Sequence, residues 1–235
     1  MEAQETVAKQ KTTGESMQES GATQEMTDKS GQENDVIQER KECMKMLCAK
    51  MEKILDKKRF QHTLSVAGTA SCMAMRFGCD PYMAYIAGLL HDNAKCLSDE
   101  KKLSLCDKYG ISVNKAEKSN PDLLHAKLGS YLAEKKYGIH DAQILSAITY
   151  HTTGKPGMTD LEKIIYIADY IEIYRKTLPR MEEARRLAFM DLDRCMLCIL
   201  ESTLSFLQHK NASIDSITLE TYDYYKQVVA NKETK

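Results

Sequence analysis

From about residue 42 to the end of the chain, apolar residues recur at three- and four-residue intervals, the spacing of one face of an α-helix. Met44, Leu47, Cys48, Met51, Ile54 and Leu55 open this pattern as an amphipathic first helix. A second helix is expected from about Arg59 to Phe77, stopped by Gly78, and a third begins with Asp80 as N-cap and Pro81 at its first position. The run Tyr85 to Leu90 is apolar on nearly every side, which predicts a place at the centre of the core. Ser98, followed by Asp99 and Glu100, predicts a helix that Gly110 ends, and another runs from near Pro121 to Tyr137 before Gly138. Asp141 opens the next, with Ile144, Leu145, Ile148 and His151 on one stripe, and Thr159 to Glu162 form a capping box ahead of Leu161, Ile164, Ile165 and Ala168. A long helical pattern after Pro179 and a Tyr-rich helix near 218–230 complete the chain. With neither a useful alternating run nor an internal repeat, the expected fold is all-α.

Residues 1–40 break this pattern. They contain no aromatic residue and few large aliphatic ones, and such a segment cannot bury enough surface to offset its ordering entropy. The chain therefore divides into an expected disordered acidic tail, 1–41, and a folded domain, 42–235. The first forty residues carry four basic and nine acidic side chains, a net of -5, which leaves the remainder at +4. A total net charge of -1 excludes the global basic excess that holds proteins on nucleic acid, so an anionic ligand must be recognised locally. No stretch approaches the ~20 apolar residues of a membrane span, and Met1 begins a polar run instead of a signal-peptide core. A cytoplasmic protein is expected. Most of the eight cysteines fall at apolar helical positions, where a thiol acts as a small hydrophobe, and Cys195-Met196-Leu197-Cys198 has no second pair at zinc-site spacing.

Four histidines, His62, His91, His125 and His151, lie on expected helices or at their ends, beside apolar positions. His91 is followed by Asp92 immediately after the most buried helix, and Asp169 sits in Ile167-Ala168-Asp169-Tyr170-Ile171. An ionised carboxylate there needs a cation or several donors. Adjacent helical residues point about 100° apart, so His91 and Asp92 can serve one ion only if the helix ends or tightens at that point. Imidazole and carboxylate without thiolate favour iron, manganese or zinc over calcium and the soft metals. Six such residues suit either two ions, with Asp92 bridging, or one ion plus two histidines that meet a phosphate.

His62, His91-Asp92 and Asp169, in that order, resemble the signature of the HD superfamily of metal phosphohydrolases. The segments Ala87 to Lys95, Tyr150 to Gly154 and Ala168 to Arg175 resemble, more narrowly, its YqeK branch, the symmetrical bis(5'-nucleosyl)-tetraphosphatases. The resemblance spans roughly residues 42–230 and implies an HD-domain helical bundle with a metal site in its core. It also implies iron as the divalent metal, with manganese or another divalent ion as alternatives, and a dinucleotide substrate, diadenosine tetraphosphate, split into two ADP. Carried over, it assigns the metal to His62, His91, Asp92 and Asp169, and a second metal or the phosphates to His125 and His151. The polyphosphate shell would comprise Arg59, Lys95, Thr152 and Arg175, with His62, His125, His151 and Asp169 also touching substrate. Asp92 and Lys95 are the expected catalytic residues.

The segment Asn211 to Thr218, with Ser213, Ile214 and Asp215 at its centre, would lie against the nucleoside. The chain departs from the branch pattern at Ile173 and Tyr174, where a Pro and a smaller residue precede the arginine. One metal-bound water of lowered pKa can attack a bridging phosphorus while the ions and cationic side chains absorb charge. The leaving nucleoside diphosphate needs little protonation, so charge neutralisation outweighs a strong general acid. Another nucleotide substrate, a di-iron oxygenase and a non-catalytic nucleotide sensor are the competing readings. Thr152, Gly154 and the basic shell suit phosphate instead of oxygen chemistry, and the complete ligand set argues against a sensor. No nucleic-acid or membrane partner is expected, and a homodimer is left open.

Overall fold

The computed structural model describes residues 16–234, with side chains from residue 34 onward. Eleven α-helices and no strand are present among the described residues. Helix α1 (Ser16–Ile54) is followed by α2 (Lys57–Phe77), α3 (Pro81–Leu90), α4 (Asp99–Lys108) and the short α5 (Lys115–Ser119). A 3-10 turn (Pro121–Leu123) leads into α6 (Leu124–Tyr137), and α7 (Ala142–Tyr150), α8 (Asp160–Ile171), α9 (Met181–Leu187), α10 (Leu192–His209) and α11 (Ser216–Glu233) complete the order. The chain separates into two compact units, Met1–Met46 and Leu47–Lys235. The first fifteen residues of the expected tail lie outside the described residues. Its remaining part is helical, so α1 begins well before Met44, the first apolar residue of the expected stripe. Residues 34–42 are exposed along their whole length, and this stretch of helix rests on propensity and on local pairs such as Gln38 to Glu42, 2.8 Å.

The helix ends follow the capping chemistry of the sequence. Asp80 accepts from the Tyr82 amide at 2.8 Å, Ser98 from Lys101 at 3.3 Å, and Asp141 from Gln143 and Ile144. Thr159 and Glu162 exchange both bonds of the capping box. Three further elements differ from expectation. Asp56 caps α2 ahead of Arg59 by accepting its amide at 2.9 Å. The five-residue α5, started by an Asn114–Glu117 capping box, is too short to carry a periodic signal. The long pattern after Pro179 is two helices, because Asp191 leaves the helical conformation and caps α10 through the Asp193 and Arg194 amides.

The core forms where the sequence is most apolar: Ala84 and every residue from Ile86 to Leu90 are buried. Each such Leu or Ile contributes about 1.5–3 kcal/mol through burial. Helices α2 and α3 cross so closely that a Cβ on Gly88 would lie 2.8 Å from the Ala67 Cα. Helix α8 packs on α2, α3, α7 and α10.

Candidate active site

Helices α2, α3, α6, α7 and α8 each bring a titratable side chain to one point in the core. Helix α3 stops at Leu90, and the next residues turn through i to i−3 bonds, Asn93 to Leu90 at 3.1 Å and Lys95 to Asp92 at 2.9 Å. This tightening lets His91 and Asp92 face the same space. The Asn93 side chain fixes the turn by donating to the Leu90 and Gly129 carbonyls, both at 2.8 Å, which ties α6 to it.

Each histidine is oriented through Nδ1. His91 donates to the Gly88 carbonyl at 2.6 Å, His151 to the Ile148 carbonyl at 2.7 Å, and His125 to the Asp122 carbonyl. His62 is held instead by the Glu172 carboxylate, 3.1 Å away. A carbonyl oxygen only accepts, so Nδ1 of His91, His125 and His151 carries the proton, and the Nε2 atoms are left to face the interior. There they meet Asp92, which has one oxygen for each pair: Oδ2 lies 3.3 Å from His91 and 3.6 Å from His62, and Oδ1 lies 3.1 Å from His125 and 3.9 Å from His151. Asp169 Oδ1 completes the first pair, 3.1 Å from His62. The His125 and His151 Nε2 atoms stand 3.0 Å apart, and the buried Nε2 atoms of His62 and His91 have no hydrogen-bond partner. Such a convergence of imidazole nitrogens and carboxylates suits a cation, and the set falls into ligand groups of metal-site size around each half of Asp92.

The electrostatics agree. Burial penalises the Asp92 and Asp169 charges, yet both carboxyls are held below their usual range, Asp92 by His91 and His125 and Asp169 by Arg175 and His62. Burial opposes a charge on His91, and the Asp92 carboxylate beside it more than offsets this, so its pKa is raised. Burial, with His91 and His125 as like-charged neighbours, pushes His151 down to about 3.

Above this floor lies a cavity of about 560 Å³ with a cationic rim. Arg59 pairs with Asp92 at 2.7 Å, Arg175 with Asp169 at 2.7 Å and Lys95 with Asp122 at 2.6 Å. Lys58 and Lys176 also line the cavity, and neither has a carboxylate within ion-pair distance among the described residues. Lys57, Lys58 and Arg59 fill the first turn of α2, where the helix dipole disfavours cations, an arrangement that an anionic ligand would compensate.

Residues 59–174 match the HD domain family. A symmetrical bis(5'-nucleosyl)-tetraphosphatase of Bacillus subtilis is 39% identical over 76% of this chain and 94% of its own length. The protein of the same name from Halalkalibacterium halodurans is 38% identical over 72% of this chain and 89% of its own. The chain belongs to this HD-domain tetraphosphatase family. A crystal structure described as a predicted HD superfamily hydrolase involved in NAD metabolism, from Clostridium acetobutylicum, shares the all-α fold with a TM-score of 0.75 and 38% identity. That likeness covers 78% of this chain and 96% of the other.

Of the residues that the sequence selects for a tetraphosphatase site, Arg59, His62, Asp92, Lys95, His125, His151, Thr152, Asp169 and Arg175 all line the one cavity, and His91 is buried beside them. Ser213, Ile214 and Asp215 do not line it. Asp215 is engaged elsewhere: its carboxylate caps α11 through the Ile217 amide and accepts from Asn114 at 2.8 Å. Sequence reasoning missed Glu172, which orients His62, and Asp122, which accepts from Lys95 and Lys102 and whose carbonyl holds His125. The basic run at the start of α2 was the available signal for Lys58. Glu172 carried a weaker one, a carboxylate one helical turn after Asp169.

Proposed function

We propose that this chain hydrolyses diadenosine tetraphosphate symmetrically to two ADP at the cavity above Asp92. The observation that supports it best is the floor itself, where four imidazole Nε2 atoms and two carboxylates converge beneath a cationic rim. The enzyme is a hydrolase of phosphoanhydride bonds. His62, His91, Asp92 and Asp169 would hold a divalent ion, and the second oxygen of Asp92, with His125 and His151, would hold another ion or a phosphate. Iron is the proposed metal, as the resemblance to the symmetrical tetraphosphatases implies, and a donor set of imidazole and carboxylate without thiolate suits it as it suits manganese or zinc. A divalent ion bound here supplies Lewis acidity toward the phosphoryl oxygens and an activated water nucleophile.

The chain's own groups do the rest. Glu172 and three backbone carbonyls fix the imidazole rings before any ligand arrives, which removes reorganisation from the reaction. Arg59, Arg175, Lys95, Lys58 and Lys176 surround the tetraphosphate and neutralise charge that grows on the central phosphoryl groups. The water oxygen bonds to one central phosphorus, and the bridging oxygen departs with the second ADP, which needs little protonation near neutral pH. Thr152 lies on the cavity wall, within the same shell.

Residues 42–235 form the proposed catalytic domain, and 1–41 a solvated extension. The eight cysteines are free thiols, which suits the reducing cytoplasm. No described helix is long and apolar enough to cross a membrane.

Metal analysis of freshly purified protein, coupled to product identification with diadenosine tetraphosphate, tests this reading. Bound iron and ADP as the single nucleotide product are expected. AMP plus ATP would exclude symmetrical cleavage, and an inert protein at full metal loading would exclude the substrate.

A further inference from the structure

Residues 213–215 are not among those that line the cavity, and a dinucleotide has two bases to seat. Three tyrosines line the cavity wall. Tyr166 and Tyr170 are buried side chains of α8, and the Tyr170 hydroxyl is spent on the Pro179 carbonyl and Ser202, at 3.0 and 2.9 Å. The Arg175 guanidinium lies over the Tyr170 ring, 6.0 Å from its centre. Tyr174 differs: it is 56% exposed although it borders the same cavity as the histidine cluster.

Its backbone is held. The Glu172 carboxylate accepts from the Tyr174 amide at 2.7 Å with one oxygen and meets His62 Nδ1 at 3.1 Å with the other. The Arg175 amide bonds back to the Glu172 carbonyl at 3.3 Å, and the Arg175 side chain reaches Asp169. One short turn therefore sets a metal-ligand orienter, an open aromatic ring and a phosphate-binding cation in consecutive reach of one another. A nucleoside polyphosphate presents the matching series: anion, sugar, flat base.

We propose that Tyr174 is the stacking platform for a nucleobase of the dinucleoside tetraphosphate, held at the cavity rim by Glu172. The proposal rests on the reading of the cavity as a dinucleotide site. Stacking on an aromatic face is tolerant of base identity, so the residue would favour nucleoside polyphosphates over inorganic ones without selecting adenine sharply.

The chain contains no tryptophan, so Tyr174→Trp places a single indole reporter at the rim. ADP is expected to quench its emission, and inorganic tripolyphosphate, which has no base, is expected to leave it nearly unchanged. In turnover, Tyr174→Ala should raise KM for diadenosine tetraphosphate by roughly five- to a hundred-fold. Its kcat and the inhibition constant of tripolyphosphate should stay near the parent's, and Tyr174→Phe should restore KM. An unquenched indole, or an unchanged KM in Tyr174→Ala, overturns the proposal. So does an equal loss of tripolyphosphate affinity, which would mean that the turn serves only its cations. Failure of the parent protein to hydrolyse the dinucleotide would instead remove the reading of function, and ADP quenching, which needs no turnover, would still decide the stacking.

Discussion

Asp92 is the residue on which the floor depends, because its two oxygens face different histidine pairs. Beside it, His91 has a pKa above the usual 6.5, so in the metal-free protein it keeps a proton at and somewhat above that pH. Uptake of an ion must expel this proton. Metal affinity, measured by chelator competition between about pH 6 and 9, should therefore rise with pH and level off once the His91 pKa is passed. A flat profile would place the proton elsewhere. Lys95 supports a second prediction: Lys95→Met should lower kcat/KM by roughly ten- to a thousand-fold with metal content unchanged. Its partner Asp122 sends one carboxylate oxygen to Lys95 and the other to Lys102. Loss of metal together with activity in Lys95→Met would show that this network supports His125 instead of the phosphate. At this scale the sequence was informative about residue types and poor about their fixing partners. His91, His125 and His151 each bond a carbonyl three residues back, and periodicity does not reveal which ring nitrogen such a turn ties down.

At the scale of elements, α2 and α3 carry the geometry of the site, since one bears His62 and the other ends in His91. Their close approach at Gly88 leaves no room for a methyl group. In Gly88→Ala the better helix propensity of alanine is worth up to about 1 kcal/mol, whereas overpacking against the Ala67 backbone costs about 1–3 kcal/mol, so a net loss is expected. The displacement should also weaken metal binding, because Gly88 supplies the carbonyl that orients His91. A variant as stable and as rich in metal as the parent would show that the helices can separate without cost. The apolar run of α3 and its Asp80-Pro81 start were plain in the sequence. The break between α9 and α10 was not, because no Gly or Pro marks residues 188–191, where α9 ends in a turn and Asp191 takes an extended conformation.

Across the whole molecule, helix polarity sorts the charges. Helices α3, α7 and α8 end at His91, His151 and Glu172, so three negative dipole ends point toward the cation-seeking floor. The positive end of α2 stands at the rim, where Lys58 and Arg59 await an anion. The expected tail contributes nothing to this arrangement among its described side chains. Removal of residues 1–41 should leave kcat/KM unchanged and shift Tm by less than about 2 °C. A larger loss, read by calorimetry, would show that the segment packs.

The Arg59–Asp92 ion pair makes the two ligands of this enzyme thermodynamic allies. Arg59 rests on the same carboxylate oxygen that faces His62 and His91. A polyphosphate that draws the guanidinium away returns that oxygen's charge to the ion below, and an ion that takes the oxygen frees the guanidinium for the phosphate. By reciprocity the two must strengthen each other by the same factor. Saturating ADP should thus tighten manganese or iron binding, and Arg59→Gln should reduce that coupling toward zero while leaving both ligands able to bind alone. Metal affinities with and without ADP, measured in parent and variant, give the coupling directly. Equal coupling in the two proteins would show that the pair plays no part in it.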